Sequence, residues 1–390
     1  MQGSIQKRTG RNGVSWSAVY DEPTPDGHRR QRRKTFKTRR DAESFLARTV
    51  STIDAGGYVR PSTETVGAYL TRWLDETAAA VKPCTVHTYA GVVSRHLMPD
   101  LATIVLARLS ARDVQALYAR LLGRGLSPAT VRLAHAVLHR ALDRAVVLRL
   151  VVANAADSAK QPRAGRSTVR TLNSDESRAF VGAALTDDLA ALWLLTMHTQ
   201  MRQGELIALR WQDVDFARGA VVVRQTRTRD ANGKQAFGDP KSLHGRRSIA
   251  LGAETIASLR AHRAAQLERR LRLGPVWHDE DAVFDRGDGR PVAARTLHTR
   301  FKRLLIQAGV PEIRFHDLRH TGATLMIASG VPAKVVSERL GHANISITLG
   351  LYAHVQEGMQ RDAADRLEEM FRPARDQIVT TFDSDSEKTA

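Results

Sequence analysis

Apolar residues recur at helical spacing through a long central stretch of the chain, residues 63–160. Val66 and Leu70 begin the pattern, and residues four apart share one face of a helix. Ser110 and Ser127 stand just before later apolar segments, as N-cap residues do. The pattern therefore predicts a compact bundle of helices in the middle of the chain.

Three short segments ahead of this bundle have the character of β-strands: Ser4–Arg8, Val14–Tyr20 and Arg29–Phe36. Glycines and prolines interrupt the chain between them, as they do at turns. Thr38 is a suitable N-cap for a helix that follows the third segment. We expect a three-stranded sheet backed by one helix.

The third predicted strand is strongly basic. It contains Arg29, Arg30, Arg32, Arg33 and Lys34. The whole chain has a net charge of +18 and a sequence pI near 10.7, so a polyanionic partner is expected. A strand of this kind can lie in the major groove of DNA, which makes these five residues candidate DNA contacts. The alternatives are a charged edge strand that prevents aggregation and a surface charge that maintains solubility.

Beyond the bundle, helical and strand signals alternate. Asn173 begins a helix signature, and Leu189–His198 is an apolar helical segment. Val221–Val223 and Arg247–Leu251 are predicted strands, with a polar hairpin through Asn232-Gly233 between them. The expected fold is multidomain and mainly α. Its parts are a small sheet plus helix at 1–60, a helical bundle at 63–160, a mixed α+β domain at 168–375 and a disordered tail at 376–390.

Composition excludes several other classes of protein. Cys84 is the single cysteine, so an internal disulfide and a cysteine-rich zinc site are both excluded. No apolar run approaches the length of a membrane span, and the first residues lack a signal-peptide core. We expect a soluble, intracellular protein with no membrane partner.

Basic and imidazole groups precede a single tyrosine near the C-terminal end. Tyr352 is the only tyrosine after Tyr118. A phosphodiester under attack develops negative charge on its oxygens, which the planar guanidinium forks of Arg202 and Arg319 are suited to bind. We interpret Tyr352 as a nucleophile aimed at a DNA phosphate. Taken singly, Arg202 could be a solvated charge and Tyr352 a core residue.

Proton transfer requires further groups, because a phenol has a pKa near ~10. His316 lies three residues before Arg319, on the same face of a helix, and could receive the phenol proton. A lysine on a hairpin could return a proton to the leaving 5′ oxygen. Lys241 is our choice for this role, and Lys234 is the alternative.

Together these segments resemble the tyrosine recombinase (phage integrase) family. Thr199–Leu206 matches the TGxRxGEL segment of the family, and Pro240-Lys241 with Arg246-Arg247 resembles its lysine hairpin. The HxLR, LGH and YxHV elements match His316–Arg319, Leu340–His342 and Tyr352–Val355. The resemblance implies six catalytic residues: Arg202, Lys241, His316, Arg319, His342 and the nucleophile Tyr352.

The same resemblance implies roles for the three domains. Residues 1–60 look like the arm-type DNA-binding domain of the family, 63–160 like its core-binding domain and 168–375 like its catalytic domain. Two positions depart from the family pattern. Gln200 replaces a glycine two residues before the first arginine, and Gly350 replaces a commonly acidic residue two before the tyrosine.

The resemblance further implies a mechanism and partners. Tyr352 would form a 3′-phosphotyrosyl bond that a second strand's 5′ hydroxyl attacks, so neither a cofactor nor a metal is required. Four protomers would hold two duplex attachment sites through a Holliday junction. Excision or DNA-bending accessory proteins are expected, in the cytoplasm and nucleoid of a bacterial host. The helix Asp362–Phe371 either docks on a neighbouring protomer or packs on its own domain.

Other readings of these residues stay open at this point. The segment Pro332–Tyr352 also resembles a helix-turn-helix, which would make the protein a DNA-binding regulator. That reading leaves Arg202, Lys241 and His316 without a role. Resolvases, conjugative-transposon recombinases and type IB topoisomerases would share the same set of catalytic groups, but the basic N-terminal domain favours an integrase of a prophage or integrative element.

Overall fold

The chain is organised as two compact units. The computed structural model describes residues 3–10, 13–23, 29–54, 62–163, 165, 170–239, 245–342, 344–346, 348–349 and 356–371. The first unit comprises Met1–Ser167 with Arg229–Gln235, and the second comprises Thr168–Thr228 with Ala236–Ala390. The domain limits 1–60, 63–160 and 168–375 stay a prediction, and the tail at 376–390 lies outside the described residues.

The N-terminal part of the first unit is a three-stranded antiparallel sheet covered by a helix. Its elements are β1 (Ser4–Gly10), β2 (Gly13–Pro23), β3 (Arg29–Phe36) and α1 (Arg39–Asp54). The strands pair in the order β1-β2-β3, and Phe45 of α1 packs against Tyr20 and Phe36. The Thr38 hydroxyl accepts a hydrogen bond from the Asp41 amide. The predicted sheet, helix and N-cap are confirmed.

The rest of the first unit is helical, as predicted. Its helices are α2 (Val66–Ala78), α3 (Pro83–Val92), α4 (Met98–Leu101), α5 (Ala111–Gly123) and α6 (Pro128–Val147). A π-helical turn, Val93–Leu97, joins α3 to α4. Ser110 and Ser127 cap α5 and α6, because each hydroxyl accepts a backbone amide of the first turn. Apolar side chains from these helices, Leu70 and Leu138 among them, form one continuous core.

The second unit is mixed α+β. Its N-terminal helices are α7 (Ser174–Ala184), α8 (Ala190–Thr199) and α9 (Gln203–Ile207). The strands are β4 (Val214–Asp215), β5 (Ala220–Val223), β6 (Thr226–Arg229), β7 (Gln235–Gly238) and β8 (Arg247–Ala250), except that Arg229 of β6 and Gln235 of β7 are counted with the first unit. The later helices are α10 (Ala253–Leu273), α11 (Ala294–Gln307), α12 (Phe315–Ala328), α13 (Ala333–Leu340) and α14 (Gln356–Phe371).

The core of this unit positions α8 and α12 next to one another. Trp193 of α8 is fully buried and lies against Phe315, the first residue of α12, with ring centroids 6.1 Å apart. The two strands predicted at Val221–Val223 and Arg247–Leu251 are confirmed as β5 and β8, which pair antiparallel. None of the helices in the described ranges is both long and apolar enough to cross a membrane.

Candidate active site

The first site arginine stands at a sharp turn between two helices. Helix α8 ends at Gln200, whose backbone is left-handed with φ 51° and ψ 31°. Arg202 follows as the N-cap residue of α9, and the carboxylate of Glu205 accepts its backbone amide at 3.0 Å and its Nη1 at 2.8 Å. The turn and the orientation of Arg202 are therefore both held by Glu205.

Glu205 also joins this turn to the sheet. Its side chain is only 2 % exposed, and Arg247 of β8 donates to it at 2.9 Å. Burial acts to raise the pKa of Glu205, but Arg247 and Arg202 outweigh that effect and hold the pKa below its usual value. Glu205 therefore stays ionised between two guanidinium groups.

The second site arginine is held by backbone carbonyls. Arg319 is 4 % exposed, and its Nη1 donates to the Gln200 carbonyl at 2.7 Å while its Nη2 donates to the Leu340 carbonyl. Arg202 Nη2 donates to the carbonyl of Gly341 at 3.2 Å. Burial and then the charge of Arg202 lower the pKa of Arg319 to about 9, which still leaves it protonated at neutral pH. Both arginines thus keep their positive charge at the point where α8, α12 and α13 meet.

Two histidines of α12 adjoin these arginines. The rings of His316 and His320 are 5.1 Å apart, at an angle of 84°. Burial lowers the pKa of His316, with His320 and Arg319 acting in the same direction. Burial likewise lowers the pKa of His320. A neutral imidazole beside fixed cations is able to accept a proton, which is the role expected for His316.

His342 approaches from the end of α13. Gly341 caps that helix in a left-handed conformation with φ 65°, and the turn brings His342 back towards the arginines. The His342 Nδ1 lies 2.9 Å from the Oγ1 of Thr348, which is fully buried. Burial first, and then Arg319 and Arg202, lower the pKa of His342 to about 4. The imidazole is neutral at physiological pH.

Four of the six predicted catalytic residues, Arg202, His316, Arg319 and His342, therefore lie close together. Lys241 and Tyr352 lie outside the described residues, so their placement stays a prediction. Lys234 closes the turn between β6 and β7, where its amide donates to Asp230. The choice between Lys241 and Lys234 stays open.

The structure adds residues to which the sequence assigned no role. Arg247 is almost fully buried and donates through Nε to the carbonyl of Arg339 at 2.7 Å, so it connects β8 to α13. Arg339 in turn donates to the carbonyl of His198 at 2.6 Å. In the sequence, the one indication that Arg247 has a role was its position in a predicted strand directly after the hairpin. Thr348 gave no signal in the sequence.

The basic strand β3 divides its cations between two faces of the sheet. Arg32 pairs with the buried Glu22 at 2.9 Å, and Lys34 lies 4.5 Å from the ring centroid of Phe45 on the helix that covers the sheet. Arg33 is exposed and donates to Gln6 of β1 at 3.1 Å, on the opposite face. Arg30 is exposed, and the side chain of Arg29 is not among the described ones. Contact of these residues with DNA stays a prediction.

Comparison with known proteins places this geometry in a family. A family model described as the phage integrase family matches residues 170–359, the region that contains the four clustered residues. A XerC-like tyrosine recombinase of Caldanaerobacter subterraneus subsp. tengcongensis is 29 % identical over 382 residues, covering 93 % of this chain and 98 % of that protein. A prophage phiRv2 integrase of Mycobacterium tuberculosis is 28 % identical, covering 92 % and 94 %.

Solved structures share the fold. The Tn1549 transposon integrase in complex with a circular intermediate DNA superposes with a TM-score of 0.66 at 19 % identity, covering 78 % of this chain and 99 % of that one. A lambda integrase tetramer bound to a Holliday junction gives a TM-score of 0.54 at 18 % identity, covering 89 % and 94 %. Residues 170–359 belong to the phage integrase family, nearly the whole chain is similar to tyrosine recombinases, and the protein is a DNA recombinase.

Proposed function

We propose that this site-specific DNA recombinase integrates and excises a prophage or another integrative element. The observation that carries the proposal is the meeting of Arg202 and Arg319 with the neutral imidazoles of His316 and His342. Two fixed guanidinium groups can bind the non-bridging oxygens of one phosphate, and neutral imidazoles can accept and return protons. A regulator that only binds DNA has no need for this arrangement.

In the proposed reaction, the phenol oxygen of Tyr352 attacks the scissile phosphorus while His316 takes its proton. The bond from phosphorus to the 5′ oxygen breaks, and Lys241 protonates that oxygen. The phosphate keeps its bond to the 3′ oxygen of the DNA and is now also bonded to Tyr352. The 5′ hydroxyl of a second strand then attacks and releases the tyrosine. One phosphoester bond forms for each that breaks, so the exchange requires no energy source.

The proposed partners are duplex attachment sites and further copies of the chain. The lambda integrase structures contain a dimer on a core site and a tetramer on a Holliday junction, and their fold is shared by this chain. An integrase of the element ICEBs1 in Bacillus subtilis is 23 % identical over 281 residues. We assign the protein to the cytoplasm and nucleoid of a bacterial host, with an accessory protein for excision. Residues 1–60 would bind the arm sites.

The test is capture of the covalent intermediate. Labelled DNA from the flanks of the element that encodes this gene, nicked next to the cleavage point, is incubated with the protein and EDTA. We expect a covalent adduct with the wild type and with Tyr89→Phe, and none with Tyr352→Phe. An adduct that survives in Tyr352→Phe contradicts the assigned nucleophile. Tight binding without any adduct, on verified sites, would indicate a regulator.

A second assay separates the recombinase from a topoisomerase. A supercoiled plasmid that carries two attachment sites is incubated with the protein, and the products are mapped by restriction digestion. Recombinant circles support the proposal. Relaxation of the plasmid with no exchange between the sites would instead indicate a topoisomerase.

A further inference from the structure

Gln200 occupies a backbone conformation that side chains disfavour. Its φ of 51° lies in the left-handed region, where the Cβ of an L-residue crowds the following carbonyl oxygen. Glycine would adopt this conformation without that crowding. A glutamine here therefore requires a compensating feature in the neighbouring structure.

Gly322 on α12 provides the space that the Gln200 side chain occupies. A Cβ atom built on Gly322 would lie 2.4 Å from the Cγ and 2.5 Å from the Nε2 of Gln200, closer than real side chains approach. Gln200 is 3 % exposed and its Nε2 donates to the carbonyl of Met197, so its side chain has little freedom to move aside. Its Oε1 accepts no hydrogen bond from the described residues. The glutamine fits because position 322 has no side chain.

Gln200 contacts α12 at a second point, one turn earlier. Its carbonyl oxygen accepts Nη1 of Arg319 at 2.7 Å, and Arg319 precedes Gly322 by three residues on the same helix face. The side chain and the carbonyl of Gln200 therefore both rest on this face. A displacement of the side chain would move the carbonyl that orients the guanidinium.

We propose that Gln200 and Gly322 are a matched pair of positioning residues, which together set the position of the Arg319 guanidinium for phosphate binding. The catalytic part of this inference rests on the proposed function. The pair acts through Arg319. The carbonyl of Gln200 accepts a hydrogen bond from Arg319, and Gly322 leaves room for the Gln200 side chain.

The experiment is a double-mutant cycle of Gly322→Ala and Gln200→Gly in the full-length protein. Single-turnover adduct formation is measured at saturating DNA, together with the Kd for the same DNA. Gly322→Ala is expected to lower the rate about 10- to 100-fold, because small misplacements of a catalytic group have effects of that size. The Kd is expected to change less than about 3-fold, since non-specific phosphate contacts dominate affinity. The double variant is expected to recover at least about 10-fold of the lost rate.

Gly182→Ala is the matched control. A Cβ built on Gly182 of α7 meets no atom within 4 Å, so the same change adds a methyl group without a clash. We expect its rate to equal that of the wild type. A double variant as slow as Gly322→Ala, or a Gly322→Ala variant as fast as Gly182→Ala, would overturn the pairing.

A neutral substrate distinguishes positioning of Arg319 from general damage. Replacing one non-bridging oxygen of the scissile phosphate by a methyl group removes the negative charge that Arg319 neutralises. The deficit of Gly322→Ala relative to wild type is then expected to shrink several-fold. An equal deficit on both substrates would show a merely structural role and overturn the positioning claim.

Thermal unfolding separates this inference from the proposed function. Gly322→Ala should lower the Tm, and Gln200→Gly in the same chain should restore it, whether or not the protein cleaves DNA. If the wild type forms no adduct while this Tm cycle holds, the proposed function fails and the packing pair stands. If Gly322→Ala does not fold, recovery of folding in the double variant supports the pair, and its absence overturns it.

Discussion

The guanidinium of Arg247 donates to the carboxylate of Glu205 at 2.9 Å, and both side chains are almost completely removed from solvent. This ion pair connects β8 to the turn that orients Arg202. Three hydrogen bonds reach the same carboxylate, one from Arg247 and two from Arg202. The carboxylate thus balances part of the charge of two arginines. It binds Nη1 of Arg202, while Nη2 donates to the carbonyl of Gly341.

Glu205→Gln preserves the shape of this carboxylate and removes its charge. We expect a loss of about 1–3 kcal/mol in the free energy of unfolding, because buried charged donors lose their ionic acceptor. We also expect a fall of at least about 10-fold in the rate of adduct formation, because Arg202 loses its orientation. Urea denaturation and single-turnover cleavage measure the two effects.

The control for this variant is Asp215→Asn. Asp215 and the exposed Arg218 form an ion pair at 3.8 Å, and the amide oxygen of asparagine can still accept the backbone amides of Ala217 and Arg218, so the free energy of unfolding should change by less than about 1 kcal/mol. Equal effects of the two substitutions would contradict a special role for Glu205.

Thr348→Val removes the hydroxyl that lies beside His342 and keeps the branched shape of the side chain. The ring then loses the hydrogen bond that fixes its orientation and tautomer, so we expect cleavage to slow by about 10-fold. Stability should fall by only about 1 kcal/mol. Thr299→Val on α11, where the exposed hydroxyl donates to its own helix backbone, is the control. A cleavage rate as high as that of Thr299→Val would show that His342 needs no such support.

The histidines of the site make the stability of the free protein depend on pH. The folded state lowers the pKa of His342 to about 4, from an ordinary value of 6.5, and also lowers the pKa of His316 and His320. At pH 5 the unfolded chain therefore binds protons that the folded chain does not. The resulting stability is present above pH 6.5 and is lost as the pH falls towards 4.

We expect the urea midpoint to be lower at pH 5 than at pH 7.5, and His342→Gln to reduce this difference. Burial also lowers the pKa of His135 and His262, so part of the difference should remain in that variant. Measurements above pH 5 keep the carboxylates ionised and isolate the histidines. A midpoint that is the same at both pH values would contradict the lowered pKa values.

Arg32 and Arg33 are neighbours in β3 with different environments, and we expect different effects from their loss. Arg33→Gln should weaken binding to arm-site DNA by about 3- to 10-fold and reduce the salt dependence by about one phosphate contact. Arg32→Gln should mainly destabilise the N-terminal sheet, because it weakens the pairing of the buried Glu22. Fluorescence anisotropy at several salt concentrations and thermal unfolding measure the two effects. The reverse ranking would contradict the proposed faces of the sheet.

Features that depend on local spacing could be predicted from the sequence. The caps at Thr38, Ser110 and Ser127 and the strands β5 and β8 were predicted because propensity and periodicity act over a few residues. Arg202 and Arg319 were predicted because phosphate chemistry requires their type of side chain.

Several features that were not predicted arise from contacts between distant parts of the chain. The role of Arg247 depends on the carbonyl of Arg339, 92 residues away. The space for Gln200 depends on a missing side chain on another helix. The division of Arg32 and Arg33 between two faces follows from strand alternation, but only the position of α1 shows which face is covered.

The carbonyls that anchor the two site arginines come from far along the chain. Arg202 donates to Gly341, 139 residues later, and Arg319 donates back to Gln200, 119 residues earlier. During synthesis, the Gln200 carbonyl is already present when Arg319 is added, but Arg202 has no Gly341 carbonyl to bind until the ribosome has passed residue 341. We therefore expect copies of the chain that end before Gly341 to lack the arrangement that holds Arg202 beside Arg319.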